Sequence, residues 1–293
     1  MSWQIEYRHW KPGDDDGIIA LLSNTGWINE KSYRNKFNNP EIRPEGIRLA
    51  ICEGKIVGHA LGLSDDIFVE GEIRRFGRIE YVFVAPKMRR HGIGKQLIKQ
   101  LIEYFERLNH RGTILTTYRN TPAHAMYRKL GFNDLAIGAF TSVYPGDEKS
   151  EIKLTIPEPS EVKEMREICE RWAMKSFPVI WRVTSNIPPV SKLLKRLYRV
   201  LRRNGRIVGY FRTPDCIRDP IAPDEEAEDV VRAIRGAISS PIRWATTPGS
   251  RYESVLRSLG CNFEYSEEVI MLKPIGKEID LSDMEVTFWG IFW

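Results

Sequence analysis

The sequence predicts an α/β fold of the α+β type, built as two successive domains. In the first half, β-rich runs alternate with segments of helical periodicity. A nearly all-apolar strand leads into a glycine-containing turn and then the clearest amphipathic helix of the chain. The second half repeats several of these features in the same order. The 293 residues are enough for about two domains. The charged, turn-rich segment 145–150 divides them into residues 1–147 and 148–293.

The first half opens with an alternating strand, Ile5–His9, and a helix through Ile18–Leu22 whose first turn is acidic. Two β-rich runs, Ile47–Cys52 and Ile56–Leu63, flank a short Gly-containing turn and predict a hairpin. The apolar run Ile79–Ala85 is typical of a buried central strand.

The most clearly predicted helix of the chain follows Gly92 and Gly94. Its apolar side chains repeat at helical spacing and predict one face packed on a sheet. Strand Thr113–Tyr118, helix Ala123–Leu130 and strand Leu135–Tyr144 complete the domain. The apolar positions of the long helix are Leu97, Ile98, Leu101, Ile102, Phe105 and Leu108.

The second half indicates an internal duplication. Strand Ile152–Ile156 repeats the opening strand, and Gly205–Tyr210, entered through the hairpin turn Asn204-Gly205, repeats Gly54–His59. Thr247-Pro248 followed by a short helix repeats Thr121-Pro122 in the first half.

Composition excludes several classes of protein. Hydrophobic residues make up 42% and charged residues 28%, as in a folded globular chain. Without a long apolar run or a secretory signature, we expect a cytoplasmic protein with no membrane partner. A net charge of +5 is too small to indicate a nucleic-acid partner. The four cysteines are widely spaced, which predicts buried free thiols and no metal site. The oligomeric state is not predicted.

A candidate anion site begins after Val84-Ala85-Pro86, in the segment Arg89-Arg90-His91-Gly92-Ile93-Gly94-Lys95. The glycines let backbone N–H groups approach an anion, and the following helix N-terminus and basic side chains attract negative charge. The segment matches neither the P-loop nor the dinucleotide pattern. Taken alone, it is equally consistent with an ordinary glycine turn that enters a helix.

A second motif follows about 25 residues downstream, starting Asn120-Thr121-Pro122 and running through Tyr127 to Gly131-Phe132. Together with Val84-x-Pro86-x-x-Arg89-x-x-Gly92-x-Gly94, it resembles the GNAT superfamily of N-acetyltransferases over residues 1–145. The resemblance implies a central mixed sheet flanked by helices. It also implies that the sheet splays open after strand Ile79–Ala85, with acetyl-CoA in the gap as the acyl donor.

The resemblance also assigns roles to residues. Backbone groups at Val82, Phe83 and Val84 would hold the pantetheine and the acetyl carbonyl. Asn120 would contact the donor, and Tyr127 would protonate the departing thiolate. The pyrophosphate would lie on the loop formed by Arg89, Arg90, His91, Gly92, Ile93, Gly94 and Lys95.

The chemistry of amine acetylation supports these roles. An alkyl amine is almost fully protonated at neutral pH, so a base or a water relay must remove its proton before attack. Glu80 is the candidate base, unless its side chain faces solvent or a neighbouring Arg. Some relatives carry an acid where this chain has Leu115, so that version of the base is absent. A phenol such as Tyr127 can protonate a leaving thiolate, although a packing role for its ring is the alternative. Neither a metal nor a covalent enzyme intermediate is required.

The second half lacks the features of a working site. Its matching helix start, Pro223–Asp229, is acidic and would repel a pyrophosphate, and Leu256 stands at the position of the tyrosine. We therefore expect a degenerate GNAT-like domain that is structural or shapes the substrate site. A basic stretch from Lys192 to Arg203 is interpreted as a charged strand edge or as a surface for an acidic substrate or RNA. The aromatic tail Phe288–Trp293 predicts a docking strand.

The predicted function is N-acetyl transfer from acetyl-CoA to an unidentified primary amine. Two alternatives remain open. One is an acyl-CoA-sensing binding module without turnover, and the other is transfer of a longer acyl chain. The acceptor is expected to meet the loops 27–37 and 64–71, where Asp65, Asp66 and Glu70 suggest a cationic acceptor.

Overall fold

A computed structural model describes residues 3–23, 30–37, 42–177, 197–213 and 216–287. The chain forms two compact units that interleave along the sequence. The first comprises residues 1–65, 74–134 and 271–278, and the second comprises residues 66–73, 135–270 and 279–293. The division into functional domains at residue 147 stays a prediction.

The first unit is a mixed sheet with helices, which confirms the predicted fold class. Its strand order is β1-β2-β3-β4-β5-β13, where β13 contributes its last residues. Strands β1, β2 and β3 pair antiparallel, and β4 and β5 pair parallel. The strands are β1 Glu6–His9, β2 Ile47–Cys52, β3 Lys55–Val69, β4 Glu72–Val84, β5 Gly112–Tyr118 and β13 Glu264–Pro274; the helices are α1 Asp15–Ser23, α2 Glu30–Phe37, α3 Ile93–Arg107 and α4 Pro122–Lys129.

Helix α3 lies close against the sheet because glycines on β3 and β4 face it. A Cβ at Gly58 would lie 2.9 Å from Ile93, and one at Gly77 would lie 2.3 Å from the ring of Phe105. Leu97, Leu101 and Phe105 are fully buried on this face, as the helical spacing predicts. The close packing fixes the start of α3 relative to the end of β4.

The second unit contains the sheet β13-β6-β12-β11, a three-stranded sheet β10-β9-β7 and the pair β14-β8. One of its hydrophobic cores includes Trp244, Ile234 and Leu256, all fully buried. The strands are β6 Asn133–Val143, β7 Ile152–Thr155, β8 Ser176–Phe177, β9 Tyr198–Arg203, β10 Arg206–Arg212, β11 Ile217–Arg218, β12 Ile242–Thr246 and β14 Glu285–Val286; the helices are α5 Val162–Ala173, α6 Ala227–Ala237 and α7 Arg251–Ser258.

Two expectations for the second half have different outcomes. The turn Asn204-Gly205 joins β9 to β10 with positive φ at both residues, as a tight hairpin requires. The interpretation of the basic stretch as a strand edge is wrong for β9, which lies between β10 and β7. Arg202 is ion-paired with Glu161, and Arg203 bonds acidic side chains of α6 and the turn before it. Residues 191–196 and the tail 288–293 lie outside the described residues.

The described ranges contain no helix with both the length and the apolar composition needed to cross a bilayer. None of the four cysteines forms a disulfide with another described residue. Cys52 and Cys169 are buried as predicted, whereas the prediction is wrong for Cys216 and Cys261, which are only partly buried. Burial raises the pKa of the Cys169 thiol to about 11, which favours its protonated form.

Candidate active site

The central feature of the first unit is a gap between β4 and β5. The two strands pair in parallel only from Phe76 opposite Gly112 to Ile79 opposite Leu115. β4 then continues to Val84 and β5 to Tyr118 without pairing to each other. The ladder between the two strands therefore ends at Ile79 opposite Leu115, and the sheet opens beyond this pair.

A cavity of about 1460 Å³ lies at this opening. Val82, Phe83 and Val84 line it from β4, and Thr117 and Tyr118 line it from β5. The start of α4, at residues 121–123, also contributes. The size suits a large extended ligand, since ordinary small-molecule sites span roughly 300 to 1,000 Å³.

Two arginines stand where the cavity meets the start of α3. Arg89 and Arg90 both line the cavity. The Arg89 Nε donates to the carbonyl oxygen of Val84 at 3.0 Å, and its guanidinium lies 5.3 Å from the ring centre of Phe83. Arg89 therefore secures the end of β4 and also adds positive charge at the cavity rim. His91 donates its Nδ1–H to the Arg89 carbonyl at 2.8 Å.

The glycines of this loop are explained in different ways. Gly92 has φ 79° and precedes the first residue of α3, so the left-handed backbone favours glycine there. No side chain caps this helix end. Gly94 has ordinary backbone, and an added Cβ would make normal contacts, 3.6 Å from Met126 and 3.7 Å from Val84. Since the protein's own packing does not require Gly94, close approach of a ligand is the remaining physical reason for it.

Asn120 lies in the turn between β5 and α4, with φ 60° and an exposed side chain. Asparagine tolerates this left-handed conformation better than most residues. Thr121 then caps α4, because its Oγ1 accepts from the His124 N–H at 3.2 Å, and Pro122 occupies the first helical position. The motif residues thus fix where α4 begins beside the gap.

Tyr127 lies on α4 with only 5% of its surface exposed. Its ring packs edge-on against Phe132 with 5.9 Å between ring centres. Burial raises the pKa of the Tyr127 phenol, so the group stays protonated at neutral pH. Its hydroxyl makes no hydrogen bond to any part of the chain that the structure describes. Packing of the ring and a proton-donor role are both compatible with this environment.

Glu80 is ion-paired with a neighbouring arginine. Its carboxylate contacts the Arg78 guanidinium, whose Nε also contacts Asp65 Oδ2 at 2.5 Å. The Glu80 side chain is 23% exposed, whereas the Asp65 side chain is fully buried. One guanidinium thus bridges two carboxylates near the point where the sheet opens.

The prediction of an acceptor-binding loop at residues 64–71 is wrong. Residues up to Val69 belong to β3, and only Glu70-Gly71 forms the turn into β4. Asp65 is buried against Arg78, so its charge is already neutralised. Of the other expected loop, 27–37, residues 27–29 lie outside the described part of the chain, and residues 30–37 form helix α2 instead of a loop.

The cavity includes surfaces that the motifs did not indicate. Gly17, Ala20 and Leu21 of α1 line it together with Lys55 and Ile56 at the start of β3. The small residues at positions 17 and 20 lie one helical turn apart, and this spacing is the one sequence signal that could have indicated that α1 lines the cavity. Several predicted residues do not line the cavity: Glu80, Asn120, Tyr127 and the loop residues His91, Gly92, Ile93, Gly94 and Lys95.

An ion pair also lines this side of the cavity. Arg8 of β1 bonds both carboxylate oxygens of Asp14 at 2.6 and 2.8 Å. The hydrogen bond from Arg8 holds the pKa of Asp14 below its usual value. Asp14 therefore remains a fixed anion beside the acidic first turn of α1.

In the second unit, the helix start that matches Arg89–Lys95 is acidic, as predicted. Asp224, Glu225 and Glu226 form a 3-10 turn immediately before α6. Glu226 and Asp229 both bind Arg203. Leu256 is fully buried in the core.

Comparison with known proteins agrees with this geometry. Residues 19–132, under half of the chain, match the family model of the acetyltransferase (GNAT) family. No curated protein matches the chain. The segment that matches contains the gap, the loop before α3 and the start of α4.

Similar solved structures cover nearly the whole chain. A conserved protein of unknown function from Enterococcus faecalis has TM-score 0.69 at 10% identity, over 96% of this chain and 74% of that one. A GCN5-related N-acetyltransferase from Anabaena variabilis has TM-score 0.67 at 14% identity, over 92% and 72%. Another from Sphaerobacter thermophilus has TM-score 0.59 at 15% identity, over 96% and 98%. At these identities the likeness establishes the fold.

The matched segment 19–132 and the opened mixed sheet together show a GNAT-like fold, and residues 19–132 are similar to the acetyltransferase (GNAT) family.

Proposed function

We propose that this protein transfers an acetyl group from acetyl-CoA to a primary amine, by direct attack within a ternary complex. The observation that carries the proposal is the cavity of about 1460 Å³ at the opened ends of β4 and β5. Its walls include residues of β4 and β5 beyond the end of their ladder, and Arg89 and Arg90 also line it. An extended donor with an amide-containing arm and a pyrophosphate matches these features.

The donor would use the facing strand edges and the loop before α3. Peptide groups of Val82, Phe83 and Val84, which line the cavity, would bond the pantetheine amides and the thioester carbonyl. The pyrophosphate would bind the loop from Arg89 to Lys95, where uncapped N–H groups and positive side chains attract an anion. The exposed Asn120 would contact the donor from the start of α4.

In the chemical step, the neutral amine attacks the thioester carbonyl carbon and forms a C–N bond. The tetrahedral intermediate then collapses, the C–S bond breaks, and the thiolate takes a proton from the Tyr127 hydroxyl. Burial keeps Tyr127 protonated until that moment. The surplus proton on the new amide nitrogen passes to water, and water returns a proton to the Tyr127 phenolate. Backbone N–H groups at the β4 edge would stabilise the transient oxyanion.

Glu80 is the proposed acceptor of the amine proton, directly or through a water. Its pairing with Arg78 orients the carboxylate. Because the carboxylate does not line the cavity, a water relay between the amine and Glu80 fits the geometry better than direct contact.

Residues 148–293 are proposed to have a structural or substrate-shaping role without transfer activity. The turn before α6 is acidic, whereas a donor site needs positive charge to bind a pyrophosphate. Carboxylates of this turn and of α6 pair with Arg203 instead. Leu256 provides no proton.

The test is release of free CoA from acetyl-CoA across a panel of polyamines, aminoglycosides, amino acids and peptide N-termini. We expect amine-dependent release with at least one class and the acetylated amine as product. Tight binding of acetyl-CoA without turnover on any amine would favour the sensing module instead. Repeating the assay with propionyl-CoA and longer donors separates acetyl transfer from transfer of a longer chain.

A further inference from the structure

A buried histidine connects helix α2 to the strand that forms one wall of the gap. His59, on β3, is fully buried. One ring nitrogen, Nδ1, lies 2.8 Å from the carbonyl oxygen of Tyr81 on β4. The other, Nε2, lies 2.6 Å from the Tyr33 hydroxyl on α2. Both contacts lie within the first unit.

The chemistry of the two partners fixes the proton on the ring. A carbonyl oxygen can only accept, so Nδ1 must carry the hydrogen. In the neutral ring, Nε2 is then an acceptor, and the Tyr33 hydroxyl donates to it. Burial lowers the pKa of His59 and raises that of Tyr33, so both groups are neutral at physiological pH. The arrangement has a single consistent set of donors and acceptors.

The Tyr81 carbonyl lies at the turning point of the wall. Tyr81 has φ 49°, a left-handed conformation that is unusual for a large non-glycine residue inside a strand. It follows the last pair of the β4–β5 ladder, at Ile79, by two residues and directly precedes the cavity-lining Val82. The backbone thus changes direction where β4 leaves β5. The His59 side chain donates a hydrogen bond to the Tyr81 carbonyl at that bend.

We infer that His59 is a positioning residue for the acyl-donor gap, an inference that rests on the proposed function. Its Nδ1–H holds the Tyr81 carbonyl on the β3 side, away from β5. This sets the direction of the next peptide groups, which face the cavity from Val82 to Val84. Tyr33 supports the arrangement, because its hydroxyl satisfies Nε2 and so stabilises the tautomer that donates to Tyr81. Neither side chain touches the donor.

The packing around the ring is consistent with a fixed orientation. Tyr33 lies edge-on to His59 with 5.8 Å between ring centres, and edge-on to Tyr81 with 5.3 Å. The Tyr33 ring, itself packed against Tyr81, therefore limits rotation of the imidazole, and the donor direction is set by packing as well as by hydrogen bonds.

The test compares acetyl-CoA affinity, measured by calorimetry, among variants at His59. His59→Leu removes the donor, and His59→Asn retains an N–H at the position of Nδ1. The matched control is His110→Leu, which removes another buried histidine of the same unit that bonds Ser64 instead. We expect His59→Leu to bind about tenfold more weakly or worse, and both other variants to stay within about threefold of the parent.

Three results would overturn the inference. The first is a folded His59→Leu protein with parental affinity, and the second is a His59→Asn protein as weak as His59→Leu. The third is independent of variants and of folding changes: ¹⁵N NMR of the histidine rings must show His59 as the Nδ1–H tautomer, and an Nε2–H tautomer would refute the assignment. If the parent protein does not bind acetyl-CoA, the proposed function fails together with this inference; if only the His59 comparison fails, the proposed function stands.

Discussion

Acidification should destabilise this protein through His59. The ring is buried between Tyr33 and Tyr81, and burial lowers its pKa from 6.5 to about 4 in the folded state. Above pH 6.5 the ring is neutral in both states and contributes no pH dependence. Below pH 6.5, the unfolded chain binds a proton at His59 that the folded chain does not bind, so the free energy of unfolding decreases as the pH falls toward 4. Linkage with these two values gives a loss of about 2 kcal/mol between pH 7 and pH 5.

The measurement is urea unfolding at pH 7, 6 and 5 for the parent protein and for His59→Asn, which has no titrating ring. Other groups titrate in this range, but they are common to both proteins, so the difference between the two pH dependences isolates His59. The parent should lose about 2 kcal/mol more than the variant between pH 7 and pH 5. Equal losses would show that His59 titrates normally, and the argument that it is held as a neutral donor would be refuted.

Three further substitutions test the gap and the packing behind it. Gly94→Ala should leave the free energy of unfolding unchanged or raise it by up to about 1 kcal/mol, because the added Cβ meets only ordinary contacts within the protein. The same substitution should weaken acetyl-CoA binding, and unchanged affinity would remove the argument for close ligand approach. Tyr127→Phe should lower kcat by about 10- to 100-fold with little change in acetyl-CoA affinity. The control Tyr144→Phe, at an exposed tyrosine, should match the parent. An unchanged kcat in Tyr127→Phe would exclude Tyr127 as the acid. Gly77→Ala should destabilise the protein by about 1 to 3 kcal/mol in urea unfolding, because the new Cβ would lie 2.3 Å from the buried Phe105 ring; a neutral result would mean that β4 and α3 separate easily.

The local elements were predictable because their signals are local. Apolar residues at helical spacing from Leu97 to Phe105 predict α3, and Asn204-Gly205 between two β-rich runs predicts the hairpin of β9 and β10. Thr121-Pro122 likewise marks the start of α4 through capping chemistry. The loop before α3 and the start of α4 were found from motifs within single segments.

Features that depend on distant parts of the chain were not predictable. The end of β13, from Met271, lies beside β5, and no local pattern encodes that pairing. The bend at Tyr81 is hidden in a sequence typical of a regular strand. Charged residues near Asp65 suggested an acceptor loop, but Arg78 neutralises that carboxylate inside the sheet. The contribution of α1 to the cavity also depends on how the helix packs.

Acetyl-CoA binding to Gly92→Glu and Gly249→Glu, measured beside the parent by calorimetry, tests the central claim most directly. Both glycines have positive φ, 79° and 84°, with open space around the added Cβ, so the strain and the added charge are matched. Only Gly92 lies at the start of α3, where the pyrophosphate is proposed to bind. The account predicts that Gly92→Glu abolishes detectable binding while Gly249→Glu binds like the parent. Parental affinity in a folded Gly92→Glu protein would contradict it.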